Sequence, residues 1–326
     1  MTTRMTRTKK IEKMHRISEK VHEPIQALYV SQLLQWPLAR DNYHALDDVL
    51  RRDIPLGDFP SALQFNPARR RSTAAVVDKK TIEKRPCFLC SANRPEEQIE
   101  CHLNDDFSIL VNPYPIFPLH LTISATTHRP QDRWPLDMVI CAEKMPGVVF
   151  FFNGARAGAS APDHLHFQAT ADCELPIIGL IERHHPVSCP GLRYSTDFGL
   201  DLPFGFFSFV IPADSSGQQV LAQALNVCGF DPKTGRPDRD LLNVFVWLDP
   251  AGLLRIVAIP RKAHRPDCYF IEGDGHHTVS PGAVDMAGLV ILPDKEDFDS
   301  LTADELRVIY AQTAFTQDEF KHLYIK

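Results

Sequence analysis

Apolar residues between positions 10 and 35 recur at helical spacing: Ile11, Met14, Ile17, Val21, Ile25 and Leu28. That period predicts an amphipathic helix leading into the fold, suited to a lid or a dimer arm. Pro37, Pro55 and Pro60 interrupt the next stretch, so no long helix is expected over 36–60. The pattern then changes. Phe107–Val111 (FSILV), Leu121–Ser124, Val148–Phe152 (VVFFF) and Leu165–Ala169 are short, β-branched or aromatic, and bounded by Pro, Gly or Asn, which predicts strands. Helical spacing returns over Ala303–Tyr324, opened by Thr302, Asp304 and Glu305.

One part of the chain echoes another. Residues 107–131 read FSILVNPYPIFPLHLTISATTHRPQ, and residues 242–267 read LNVFVWLDPAGLLRIVAIPRKAHRPD. Each runs through an apolar strand, a Pro-containing turn and a second strand, then ends in His-Arg-Pro followed by an amide or an acid. Pro113 precedes His128 by 15 positions, and Pro250 precedes His264 by 14. Two unrelated hairpins would give the strands, but the shared ending in register points to duplication of one unit, roughly 60–190 and 200–300. The expected fold class is α+β, a duplicated unit with a mainly antiparallel sheet and flanking helices. The expected division is an N-terminal helical extension over 1–58, a catalytic half over 59–190, and a second, degenerate half with a C-terminal helix over 191–326.

Composition narrows the function classes. The chain has 326 residues, 44% of them apolar and 23% charged, which fits a globular protein of two domains or one duplicated fold. Lys and Arg number 35 and Asp and Glu 41, a net charge of −6. A protein-wide basic field for nucleic acid is absent, which leaves room only for a local basic pocket. No apolar run approaches the ~18 residues of a membrane span. The start, MTTRMTRTKKIEKMHRISEK, has no apolar signal core, so a cytoplasmic location is expected. The eight cysteines are sparse, and most are expected to be buried thiols. Cys87 and Cys90 alone form a C-x-x-C pair, whose spacing lets two thiolates share one ion. The pair also fits two buried thiols or a redox motif, although no thioredoxin-like βαβ pattern surrounds it.

The segment 150–170, FFFNGARAGASAPDHLHFQAT, carries the chemistry. It passes from an apolar strand through a Gly/Ala/Ser loop into alternating His164, His166 and Gln168. On a strand these three would line one surface while Leu165 and Phe167 face the core. Polar side chains on such a strand are costly unless used. The loop from Asn153-Gly154 through Gly158 and Ser160 can bring backbone N–H groups and a hydroxyl close to an anion, and phosphate is the natural guest.

H-L-H-F-Q after N-G-x-x-x-G-x-S resembles the transferase branch of the histidine-triad superfamily, which holds galactose-1-phosphate uridylyltransferase, diadenosine tetraphosphate phosphorylase and GDP-sugar phosphorylases. That branch carries H-x-H-x-Q, where the hydrolase branch ends in a third His. Its members have two copies of the unit, the second without the histidines, and SPGAVDMAG at 280–288 stands here where the motif would fall. Upstream, QFNPARRRS (64–72) and Arg85-Pro86-Cys87-Phe88-Leu89-Cys90 are similar to the uridylyltransferase order. The resemblance covers about 60–175 well and 240–295 loosely, and does not cover the first 50 residues.

The resemblance implies that His166 is the nucleophile, attacking the α-phosphorus of a nucleoside diphosphate sugar or dinucleoside polyphosphate to give a nucleotidyl-imidazole. Gln168 would donate to a phosphoryl oxygen, and Asn153, Gly158 and Ser160 would cradle the phosphate. Phosphate or a sugar phosphate would then remove the nucleotide, a ping-pong scheme. It also implies a structural zinc on Cys87, Cys90, His128 and His164. Phe167 is closer to the GDP-sugar phosphorylases, the cysteine pair to the uridylyltransferase, so base and sugar stay open. No nucleic-acid or membrane partner is expected, and a homodimer is compatible with the sequence.

Two other functions fit less well: a hydrolase, against which Gln168 speaks, and a non-catalytic nucleotide-binding protein. Arg69, the first of three consecutive arginines, is a candidate for reaching substrate phosphate. Arg261 and Lys262 read as a solvated pair, or else as holding a second phosphate or an interface. The doublets His184-His185 and His276-His277 read as surface loops. Cys141, Cys173 and Cys189 have no evident partner.

Overall fold

The computed structural model describes residues 21–70, 79–132, 136–171, 175–184, 193–195, 199–212, 228, 230–231, 236–238 and 240–324. Their strands, in chain order, are β1 (Leu50–Asp53), β2 (Ala62–Phe65), β3 (Cys101–His102), β4 (Phe107–Val111), β5 (His120–Ala125), β6 (Val148–Asn153), β7 (His166–Ala171), β8 (Arg193–Ser195), β9 (Phe207–Pro212), β10 (Phe230–Asp231), β11 (Arg236–Pro237), β12 (Leu242–Leu248), β13 (Leu253–Pro260) and β14 (Leu289–Leu292).

Nine of these form one sheet in the order β3-β4-β5-β7-β6-β12-β13-β9-β8, every neighbouring pair antiparallel. A smaller sheet, β1-β2-β14, combines an antiparallel and a parallel pairing. With helices packed around the sheets, the class is α+β, as the sequence predicts. The two echoing stretches both fold as antiparallel hairpins, β4–β5 and β12–β13. The seam between them is the β6–β12 ladder, which sets Asn153 directly opposite Asn243.

The unbroken apolar run VVFFF has a simple cause. Phe150 and Phe152 enter one core cluster with Phe107, Phe167 and Val244. Val149 and Phe151 enter a second with Phe245, Trp247 and Val257. The sheet is therefore covered on both faces, and alternation of apolar with polar residues is lost.

The helix expected over 10–35 is described from Glu23 to Gln35, and its share before residue 21 lies outside the described residues. It is not a free arm. Ile25, Leu28 and Tyr29 belong to the first core cluster, and the Tyr29 hydroxyl donates to the Pro118 carbonyl at 2.7 Å. A second helix, Pro37–Ala45, uses Pro37 at its first turn, where a missing N–H costs nothing. The C-terminal stretch divides into Ala303–Thr313 and Gln317–Tyr324. The break has a job: Ala314 bridges to Arg261, and the Phe315 carbonyl accepts from Gly205 N–H. The cap at Thr302 with Glu305 forms as the sequence predicts. No helix among the described residues is long and apolar enough to cross a membrane.

Candidate active site and metal centre

The β6–β7 ladder ends at the pair Phe151–Gln168. Beyond it the two strands part, and the next residues on the same face of each strand are Asn153 and His166. Buried Gln131 fills the gap. Its amide donates to the Asn153 and His166 carbonyls, each at 2.8 Å, and its oxygen accepts the His166 N–H at 2.7 Å. One side chain thus replaces the missing ladder bonds, so that the sheet can open without orphaned backbone groups. A cavity of about 560 Å³ lies there, lined by His166, Gln168, Asn153, Gly158, Ser160 and Arg69 among others. That size suits a small-molecule ligand.

His166 and Gln168 share the face of β7 opposite Phe167, which is buried in the core. The Nδ1 of His166 lies 2.8 Å from the His164 carbonyl. A carbonyl only accepts, so Nδ1 carries the proton and Nε2 keeps its lone pair. Burial pushes this imidazole down to about 4, so it is neutral near pH 7. Gln168 is oriented in a similar way. Ile116 N–H donates to His120 Nδ1 at 3.2 Å, and His120 Nε2 then donates to Gln168 Oε1 at 2.8 Å. The Gln168 NH₂ is left for the cavity. Burial, more than nearby Arg69, pushes His120 down to about 3 and keeps this relay uncharged.

Asn153 presents its amide in the same sense. Its Oδ1 accepts from Asn243 Nδ2 at 3.0 Å and from Ala283 N–H at 2.6 Å. Gly158 has φ +101°, and a Cβ there would lie 2.5 Å from the Gly282 Cα, so only glycine lets the loop pass this close. Arg69 donates to the Tyr114 carbonyl at 2.6 Å, while its buried Nε has no hydrogen-bond partner among the described residues. Burial pushes its guanidinium down to about 10, with Asp285 acting the other way, and it stays a cation. Arg70 pairs with Asp294, and Arg71 lies outside the described residues.

His164 does not share the cavity face with His166 and Gln168, as plain alternation predicts. It precedes the strand, where Leu165 N–H is taken by the Arg129 carbonyl, and its ring turns toward the cysteines. His164 Nδ1 lies 3.3 Å from Cys87 Sγ and 3.5 Å from Cys90 Sγ, and His128 Nδ1 lies 3.2 Å from Cys90 Sγ. All four ligand atoms lie within 4.8 Å of one another. Sulfur and nitrogen bound to one tetrahedral zinc would be about 3.5 Å apart, close to these spacings. The His164 Nε2 proton goes to the Ala125 carbonyl at 2.8 Å, which leaves Nδ1 for an ion. The residues present therefore fit a metal ion. Arg85 and Asp163 pair at 2.6 Å and tie the cysteine segment to the residue before His164.

Several expectations fail. Arg261 is no solvated charge. It is fully buried and donates to carbonyl and amide oxygens, while Lys262 pairs with Glu319. His277 is buried against Asp297 at 2.9 Å, so only His276 of that doublet is on the surface. His184 is an exposed helix end, and His185, Cys173 and Cys189 lie outside the described residues. His264, the counterpart of His128, lines the cavity instead of a cysteine cluster. Sequence reasoning missed His120, Gln131 and Asn243. Only Gln131 had left a trace, as the amide that closes the first His-Arg-Pro echo.

The domain family described as domain of unknown function DUF4922 matches residues 28–171. No curated protein sequence matches the chain. Among solved structures it is similar to yeast Ap4A phosphorylase Apa2, with 14% identity and a TM-score of 0.55, over 86% of this chain and 96% of that one. The same enzyme in complex with Ap4A gives 16% identity and a TM-score of 0.53 over the same shares. In complex with AMP it gives 14% and 0.55, over 88% of this chain and 97% of that one. From the extent of this likeness, the chain has the fold of that Ap4A phosphorylase.

Proposed function

We propose that the chain is a nucleotidyltransferase of the phosphorylase kind, cleaving a dinucleoside polyphosphate through a covalent nucleotidyl-His166 intermediate. One observation carries this reading: the His166 Nδ1 proton is held by the His164 carbonyl, so the Nε2 lone pair is free in a cavity flanked by amide donors. The likeness to an Ap4A phosphorylase favours a dinucleotide over a nucleoside diphosphate sugar as donor.

In the first step Nε2 bonds to the α-phosphorus and the bond to the bridging oxygen breaks. The leaving nucleoside polyphosphate is stable as an anion, so it needs no proton, and an amide at Gln168 suffices where an acid would otherwise be required. The Asn153 and Gln168 amides, Ser160 and the loop around Gly158 receive the charge on the non-bridging oxygens, with Arg69 adding a cation. In the second step a phosphate oxygen attacks the same phosphorus, the P–N bond breaks, and the imidazole is restored. In this reading residues 59–190 are the catalytic half and 191–326 the supporting one.

Cys87, Cys90, His128 and His164 would hold a zinc ion. Bound there, it would cross-link the C-x-x-C segment to the strand that bears the nucleophile, a structural task.

The test is incubation with Ap4A, or with a panel of nucleoside diphosphate sugars, labelled at the α-phosphate. Label that stays on the wild-type protein, is absent from His166→Ala, and is released by phosphate supports the reading. Full turnover by His166→Ala would end it.

A further inference from the structure

The cavity's Asn153 can help an anion only if its NH₂, not its oxygen, faces inward. What sets that choice lies in the other half of the chain. Arg261 is 0% exposed and can only donate. Its Nε donates to the Thr313 carbonyl at 2.8 Å, and its Nη1 donates to the Pro281 carbonyl at 3.0 Å and to Asn243 Oδ1 at 2.6 Å. Its Nη2 donates to the Ala263 carbonyl at 3.1 Å.

The polarity then propagates. Because Arg261 has no acceptor, Asn243 must turn its oxygen toward it. The Asn243 NH₂ therefore points the other way, donating to the Ala157 carbonyl at 2.7 Å and to Asn153 Oδ1 at 3.0 Å. Ala283 N–H, also from the second half, donates to the same Oδ1 at 2.6 Å. A flipped Asn153 would face two donors with its own NH₂, leaving buried N–H groups unpaired. As placed, its Nδ2 has no hydrogen-bond partner among the described residues, and Asn153 is one of the residues that line the cavity.

We infer that Asn243 and Arg261 are positioning residues: through the chain Arg261–Asn243–Asn153 they hold the Asn153 amide as a donor toward a bound phosphoryl group. The inference rests on the proposed function for the identity of the anion. It gives the degenerate half, which has no histidine motif, a defined task at the site of the other half. It also gives a reason for a guanidinium buried at the seam with no carboxylate hydrogen-bonded to it among the described residues: the relay needs a donor-only head, and a carboxylate partner would compete for it.

Asn243→Asp keeps the size of the side chain and its bond to Arg261, but opposes an oxygen to Asn153 Oδ1. Nucleotidylation of the protein by labelled Ap4A should fall about tenfold or more. In an Asn153→Ala background the same change should cost less than about twofold, because the route runs through Asn153. A wild-type rate for Asn243→Asp, or an equal loss in both backgrounds, overturns the inference. A second readout needs no relay variant to fold. In the ¹⁵N-labelled wild-type protein, the side-chain amide signal that is missing from Asn153→Asp should shift when AMP is added. A signal unmoved at saturating AMP overturns the inference too. Wild-type protein that binds AMP yet takes no label would instead count against the proposed function and leave this arm intact.

Discussion

His166 and His164 are joined by one hydrogen bond, from the Nδ1 of the first to the backbone carbonyl of the second, 2.8 Å long. The same residue, His164, offers its own Nδ1 to the Cys87–Cys90 cluster. The candidate nucleophile thus hangs from a residue that is itself in the Cys-His cluster, so one residue links the cluster to the imidazole at the cavity.

Protein purified without added zinc should carry about one equivalent of metal. Stripping it with a chelator should lower the melting temperature by on the order of 10 °C, since metal binding adds to folding free energy. Nucleotidylation should fall with it, and both should recover on adding zinc. Metal analysis together with a thermal scan checks this, and an unchanged melting temperature would remove the structural role.

His120→Phe removes the Nε2 donor that holds Gln168 Oε1 while keeping an aromatic ring beside Phe117 and Phe151. The Gln168 amide is then free to turn over. The turnover number should drop by about tenfold with little change in KM, because the lost interaction acts on charge that develops during reaction. Gln168→Ala should lose at least as much, and the two losses should not add in the double variant. Steady-state kinetics of the three variants decides it.

Gly158→Ala places a Cβ 2.5 Å from the Gly282 Cα at a backbone φ of +101°. Both halves of the site meet at this contact. Strain and overlap together should cost about 2–4 kcal/mol of stability, measured as a shift in the urea midpoint. An alanine variant as stable as wild type would mean that the loop does not pass this close.

Burial pushes Asp285 up to about 6, although Ile291 N–H, Gly282 N–H and Arg69 favour its ionised form. Its folded value thus lies above the unfolded value of about 3.9. The group's contribution to stability is complete below about pH 4 and is lost as pH rises through 6, up to about 3 kcal/mol. Wild type should lose stability relative to Asp285→Asn between pH 4 and pH 7. Parallel urea titrations across that range test the sign, and identical slopes refute it.

Much of the local structure could be read from residue order. FSILV and VVFFF announce β4 and β6, since strands form wherever short β-branched and aromatic runs meet turn residues. H-L-H-F-Q and C-x-x-C stand out as candidate site motifs, because spacing and alternation are properties of a few adjacent residues. The two hairpins with their His-Arg-Pro endings are legible for the same reason.

Other features became visible only in the folded chain. Arg261 looks like a surface cation until carbonyls from Pro281 and Thr313 enclose it. His120 and Asn243 look like ordinary strand residues until Gln168 and Asn153 arrive from 48 and 90 positions away. His164 fits the alternation of its strand until the cysteines draw its ring aside. The physical reason is common to all of these. A backbone pattern is set by neighbours in sequence, whereas the role of a buried polar group is set by whichever donors and acceptors the fold brings within 3 Å or so.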